Sequence, residues 1–162
     1  MKRILALAVA PVVVALVVAG CGGSSGSSST ASTSSGGAKA ADTTVALRKL
    51  NVGSALVDGA GRTLYLFEAD KTDKSTCNGA CASLWPPDTV TTAKPKAGAG
   101  VDAAKLGTTK RSDGKLEVTY NGHPLYFYAP DTQPGQDAGQ GLNQFGAKWY
   151  VVASSGAKID ND

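Results

Sequence analysis

Alternating apolar positions first appear at Val45, Leu47, Leu50 and Val52, and their spacing predicts an opening strand. Ala55-Leu56-Val57 and residues 62–67 then flank Asp58-Gly59-Ala60-Gly61. Glycine supplies the positive φ that a tight turn needs, so these two arms are predicted to form a hairpin. On the second arm Tyr65 and Phe67 fall on one face and Leu64 and Leu66 on the other. A strand apolar on both faces is expected in the middle of a sheet, covered from both sides. The pattern resumes at residues 106–111, which read as another strand ending in the turn Ser112-Asp113-Gly114. Residues 115–120 alternate as a half-buried strand should, and Asn121-Gly122 makes a hairpin turn. Pro124 must then sit where no ladder N–H is needed. Residues 148–153, with Trp149, Val151 and Val152, read as the closing strand.

A shift of 61 residues carries Gly61 onto Gly122, Leu64 onto Leu125, Tyr65 onto Tyr126, Phe67 onto Tyr128 and Asp70 onto Asp131. This is an internal repeat. The expected fold is mostly β: one small domain made of two related β-hairpin repeats sharing a sheet or a small sandwich. The first repeat is assigned to residues 44–93 and the second to 101–155, with 94–100 as linker and 156–162 as a C-terminal tail. All ten aromatic residues lie between Tyr65 and Tyr150, so the core is expected there.

The first forty residues have a different character. Met1-Lys2-Arg3 is a positive leader and residues 4–18 are apolar throughout, a run shorter than the roughly 20 residues a membrane span needs. Residues 1–20 are therefore expected to be a secretory signal. Val18-Ala19-Gly20-Cys21 resembles the bacterial lipobox, which implies cleavage before Cys21 and lipidation of its thiol. An ordinary signal peptide cut elsewhere, or an uncleaved anchor, is the alternative. Residues 21–43, the cysteine followed by Ser, Gly, Ala and Thr with only Lys39 and Asp42 among them, are too poor in large apolar side chains to fold and are expected to act as a flexible tether. The expected location is extracytoplasmic, anchored by lipid to the cell membrane, or to the outer membrane if the source has two membranes.

The doubled aromatic strand also supports a family resemblance. Tyr65, Phe67 and Asp70, and again Tyr126, Tyr128 and Asp131, match a tandem Tyr-x-(Phe/Trp/Tyr)-x-x-Asp motif. The run Ser75-x-Cys77-x-Gly79-x-Cys81-Ala82-x-x-Trp85-Pro86-Pro87 follows the first copy. Together they resemble the bacterial secreted-repeat lipoproteins, a family of unknown function, over roughly residues 52–152. In place of the cysteines the second copy has Gly135, Gly139 and Gly141, so its loop must close in another way.

Composition narrows the chemistry. The formal charge is +3, and removal of Lys2 and Arg3 leaves +1, so net charge selects no partner. Lys94, Lys96, Lys105, Lys110, Arg111 and Lys115 form a locally basic stretch that reads as a solvated surface. No stacking aromatics interleave it, so nucleic acid is not expected as a partner. His123 and Met1 are the single histidine and the single methionine, and no Cys-x-x-Cys-His occurs, which argues against copper, catalytic zinc and c-type haem. No Gly-x-Ser-x-Gly elbow is present. No metal, cofactor or catalytic residue is assigned. Calcium at residues 70–73 or 131–137 stays a minor alternative, since neither has EF-hand spacing.

Cys77 and Cys81 are expected to form a disulfide in an oxidising compartment, with a redox-active dithiol as the other reading. Tyr65 with Asp70 and Tyr126 with Asp131 are read as structural, each Asp holding its loop N–H groups; a proton-handling pair is the alternative. Trp85, Pro86 and Pro87, with Trp149, are a possible binding surface. The functional expectation is a non-catalytic envelope binding or interaction module, anchored to the membrane and serving an unknown envelope ligand or protein. The alternative is an accessory to cell-envelope redox or electron-transfer chemistry.

Overall fold

The computed structural model describes residues 44–161. The expected signal peptide, the Cys21 lipidation site and the tether lie outside the described residues.

Strands β1 (Thr44–Leu50) and β2 (Gly53–Asp58) form an antiparallel hairpin in the register Val45 to Asp58 through Leu50 to Gly53. The chain turns again at Asp58, whose Oδ1 accepts the Ala60 and Arg62 N–H groups at 2.9 and 2.8 Å. The arm that follows contains only a short strand, β3 (Tyr65–Phe67). β2 therefore takes β1 as its main partner. The expected hairpin across Asp58 to Gly61 is short: one bridge, Val57 to Thr63, with the Asp58 N–H donated to the Arg62 carbonyl at 2.9 Å and the Leu64 N–H to the Leu56 carbonyl at 3.0 Å.

A one-and-a-half-turn helix α1 (Ala80–Leu84) and strands β4 (Thr89–Val90) and β5 (Lys96–Ala97) follow. The second repeat supplies β6 (Leu106–Lys110), β7 (Leu116–Tyr120), β8 (His123–Pro124), β9 (Asn143–Gln144) and β10 (Ala147–Val151). Pairing among the described residues gives three small sheets, ordered β2-β1-β5, β3-β10-β9 and β4-β7-β6, with β8 also on β7.

The repeats do not close on themselves. β4, at the end of the first repeat, pairs with β7 of the second, and β10, at the end of the second, pairs with β3 of the first. At the centre Tyr65 and Tyr126 exchange both backbone hydrogen bonds, each 2.9 Å, so the two copies meet about a pseudo-two-fold axis. β3 ends the β3-β10-β9 order, but the Tyr65–Tyr126 bridge lies on its other edge and both its faces are covered as its pattern requires: Leu64 and Leu66 enter one core cluster with Tyr120 and Tyr150, and Tyr65 and Phe67 enter another with both tryptophans.

Three segments differ from expectation. Residues 94–100 are more than a linker, because β5 pairs in parallel with β1 and the Gly98 N–H donates to the Val45 carbonyl at 2.7 Å. Residues 156–162 are more than a tail: the Ile159 N–H donates to the Val151 carbonyl at 2.8 Å and its carbonyl accepts from Gln140 Nε2 at 2.6 Å. Strand β7, read as half-buried, is buried on both faces from Glu117 to Tyr120, because β4 and the crossed repeats cover the side an open hairpin would leave wet.

Candidate functional site

The motif side chains meet across the two-fold axis. Tyr65 donates its hydroxyl proton to Asp131 Oδ2 at 2.5 Å, and Tyr126 donates to Asp70 Oδ2 at 2.6 Å. Each aspartate uses its other oxygen on its own loop: Asp70 Oδ1 accepts from the Thr76 N–H and hydroxyl at 2.8 and 2.5 Å, and Asp131 Oδ1 accepts from the Ala138 N–H at 3.2 Å. The expected loop contacts are therefore present, but the pairs read within each copy, Tyr65 with Asp70 and Tyr126 with Asp131, are replaced by crossed ones. The crossing follows from the strand exchange, which places each tyrosine edge under the other copy's loop.

Burial sets the protonation of these groups. Desolvation, with the Asp131 hydrogen bond second, raises the Tyr65 phenol far above its ordinary value. Desolvation, then the charges of Glu117 and Asp70, does the same to Tyr126. Both remain protonated donors. Asp131 is also raised by burial, against the opposing bonds from Tyr65 and Ala138.

Beneath Tyr126 lies an ion pair. Arg111 is 5 % exposed and Glu117 fully buried, with Arg111 Nη1 2.6 Å from Glu117 Oε2. The same guanidinium donates to Ser75 Oγ at 2.5 Å, the Cys77 carbonyl at 2.7 Å and Asn78 Oδ1 at 3.2 Å, and Ser75 Oγ meets the Tyr126 hydroxyl at 2.7 Å. Arg111 is thus no part of a solvated basic surface, because its fork joins the cysteine loop to β7. Burial raises the Glu117 carboxyl, with Arg111 pulling the other way. The Leu56 and Val118 carbonyls accept from the equivalent Leu64 and Leu125 N–H groups, so by pairing Glu117 stands where the first copy has Ala55, and a carboxylate at that strand position is the sequence signal for this pair.

Cys77 and Cys81 are joined by a disulfide across 5.2 Å between Cα atoms. It spans the start of α1 and leaves Cys77 1 % and Cys81 7 % exposed. Reduction of the purified protein should add about two hydrogens to its mass and remove about 2 kcal/mol of stability, the chain-entropy value for so short a loop. In the second copy the loop closes on Gly139, whose N–H donates to the Tyr65 hydroxyl at 3.3 Å. A Cβ there would lie 2.7 Å from Trp85 Cη2, so the position needs glycine.

Trp85 and Trp149 are fully buried and stacked at 4.0 Å with planes 5° apart. Phe67 stacks on the outer face of Trp149 at 4.0 Å, and Tyr128 packs on that of Trp85 at 4.4 Å with its plane tilted by 34°. Tyr65 and Tyr126 meet Trp85 and Trp149 edge-on at 5.4 and 5.1 Å. The binding surface expected from Trp85 and Trp149 is corrected here, since neither indole reaches solvent; of that set only Pro86 and Pro87 are partly exposed.

The open surface lies elsewhere. A depression of about 630 Å³ is lined by Glu68, Lys71, Asn143, Gly146 and Lys148. A smaller one of about 310 Å³ shares Glu68 and Lys71 with it and reaches Asp70, His123 and Lys158. Phe145, in the turn between β9 and β10, is 49 % exposed and has a left-handed φ of 56°. Sequence reasoning missed it, because a lone aromatic residue in a turn carries no periodic signal. Among the described residues no group of three His, Cys, Asp or Glu is placed to hold a metal.

The crossed pairs make a specific prediction. In double-mutant cycles Tyr65→Phe and Asp131→Asn should couple by about 1 kcal/mol or more, and so should Tyr126→Phe and Asp70→Asn. Tyr65→Phe with Asp70→Asn should add to within about 0.5 kcal/mol. Urea denaturation of each set measures this, and coupling inside a copy instead of across copies would overturn the pairing.

A family model described as a secreted repeat of unknown function matches residues 47–88 and 107–153. Neither the search of curated proteins nor that of solved structures returned a match. The two matched stretches are the two halves related by the pseudo-two-fold axis, each with its own aromatic strand, its Asp loop and its tryptophan, and the chain belongs to this secreted-repeat family.

Proposed function

We propose that the protein is an exported lipoprotein, anchored through Cys21, that serves as a non-catalytic interaction module of the cell envelope. One observation carries the non-catalytic part: the crossed Tyr–Asp pairs engage both oxygens of each motif carboxylate, so neither is left to act on a substrate. A duplicated motif consumed by its own architecture is what a scaffold needs, and a single catalytic centre would need only one copy.

The face offered to a partner is the β9–β10 turn and the depression beside it. An exposed phenylalanine held at a left-handed φ is unfavourable for an isolated domain, and such positions are often kept for contact. We take the partner to be an envelope protein, since the depression mixes charged and small residues and the exposed Phe145 adjoins Gly146 on its lining. Redox chemistry by thiol exchange has less support, because a disulfide 1 % and 7 % exposed offers little access to an incoming thiolate.

A photocrosslinking residue placed at Phe145, and separately at Lys71, in the full-length protein in its own cells tests the docking face. Both positions should give an adduct of the same mass, and a control at exposed Lys115 none. No adduct above the control would remove the docking reading. Anchoring is tested separately: Cys21→Ser should leave unprocessed or released protein, and wild-type protein retained in the membrane with an unmodified Cys21 would refute lipidation.

A further inference from the structure

The aromatic core holds more polar chemistry than packing alone needs. Large apolar side chains would fill the same volume, yet each indole and each motif phenol here has a chosen acceptor. Both indole N–H groups go to one residue, Trp85 Nε1 to Gln144 Oε1 at 2.8 Å and Trp149 Nε1 to the Gln144 carbonyl at 3.2 Å. Amide oxygens accept hydrogen bonds but are very weak bases. Both motif phenols instead face carboxylates, Asp131 at 2.5 Å and Asp70 at 2.6 Å.

That difference sets a direction for one-electron chemistry. A tryptophan radical cation in this core has no base to take its N–H proton, so it keeps its oxidising power. A tyrosine can lose electron and proton together, because its proton already points at a carboxylate within transfer distance. The parallel indoles, 4.0 Å apart, can share a positive hole, and the half-buried Tyr128 ring, in contact with Trp85, brings the stack to the surface.

We infer that the Trp85–Trp149 pair with Tyr65–Asp131 and Tyr126–Asp70 forms an internal one-electron relay, able to take a hole from an outer-sphere oxidant and store it on a buried tyrosine. The oxidant, a high-potential metal complex, gains one electron and the stacked indoles become a radical cation. Tyr65 passes one electron to Trp85 while its phenol proton moves to Asp131 Oδ2. The Tyr65 O–H bond breaks and an Asp131 O–H bond forms, leaving neutral indoles, a neutral tyrosyl radical and a protonated carboxyl. Tyr126 and Asp70 offer the equivalent step from Trp149. A one-electron metal reductant then returns the electron and the proton goes back to the phenol, so one electron has passed from reductant to oxidant. The inference stands apart from the docking face and holds or fails without it.

Tyr120 is the built-in control. It is fully buried, but its hydroxyl donates to the Ser154 carbonyl at 2.9 Å and accepts from the Asp102 backbone N–H at 3.2 Å, so its proton points at a carbonyl and no radical should settle there. The test is flash-quench oxidation of the full-length protein in detergent by a ruthenium(III) polypyridyl complex, followed by transient absorption and electron paramagnetic resonance. An indolyl signal should give way to a tyrosyl one at a rate independent of protein concentration and slower in deuterated solvent. Tyr65→Phe/Tyr126→Phe should lose most of the tyrosyl yield and keep the indolyl radical longer. An unchanged yield in that variant, with its near-ultraviolet dichroism intact, would overturn the relay. If the double variant unfolds, the wild type decides: no tyrosyl radical, a rate that scales with concentration, or no solvent isotope effect would each sink it.

Discussion

Arg111→Met should destabilise the domain by about 3–5 kcal/mol, the cost of leaving a buried carboxylate without its counter-ion. Arg111 is the sole side chain bonded at once to Glu117, Ser75, the Cys77 carbonyl and Asn78 among the described residues, so its loss also frees the cysteine loop from β7. Arg111→Lys should recover only part of this, because a point charge cannot reproduce the planar fork. Removing both charges, as Arg111→Met/Glu117→Leu, should restore most of the stability, since a buried ion pair is often replaceable by apolar volume. The single variant's deficit should also depend on pH. Without Arg111, burial drives the Glu117 carboxyl further above its ordinary value of 4.5. A carboxyl whose folded pKa exceeds its unfolded one contributes stability that is present below the unfolded value and is lost as pH rises through the folded one. With Arg111 in place the carboxyl already stands at about 8, so wild type and variant part only as pH rises past that value, and denaturant titrations should show the largest deficit in alkali and a smaller one at neutral pH and in acid. A loss that is equal at both ends would mean that Glu117 is not left charged and unpaired.

The strands and the repeat were legible because their signals are local. Gly61 and Gly122, with φ of 84° and 81°, mark turns that only a few residue types tolerate, and apolar residues on both faces of residues 64–67 announced a covered central strand. The crossing of the repeats was not legible. Whether Tyr65 meets Asp70 or Asp131 depends on which copy's closing strand lies beside β3, and two copies of one motif give either pairing the same pattern. Arg111 was misread for a related reason: it follows Lys110 in a stretch of lysines, and local context cannot show that its partner sits six residues on, on a strand buried on both faces. The Trp85-Pro86-Pro87 run looked like a docking ledge because prolines and aromatics often form one, but the partner that Trp85 docks is Trp149 of the same chain. Cys77 and Cys81 were readable because spacing and compartment suffice for so short a loop.

Trp85→Ala and Trp149→Ala should each cost about 3–5 kcal/mol, the range for truncating a buried aromatic side chain to alanine. The two losses should be of similar size, because the indoles hold equivalent places: Trp85 touches Tyr65, Tyr128 and Trp149, while Trp149 touches Tyr126, Phe67 and Trp85. The double variant should cost less than the sum, since residues in direct contact share an interaction that can be lost only once. Trp85→Phe should be milder than alanine, leaving Gln144 Oε1 without its donor but keeping a ring between Tyr128 and Trp149. Thermal or urea unfolding measures all four. The exchange of closing strands makes this stack the joint between the copies: each indole lies on its own repeat's closing segment and packs against the motif aromatic of the other, Trp149 on Phe67 and Trp85 on Tyr128. Loss of either indole should therefore unfold both copies in one transition. Two separate transitions, or a loss below about 1 kcal/mol for either tryptophan, would mean that the copies are independent units and that the stack does not join them.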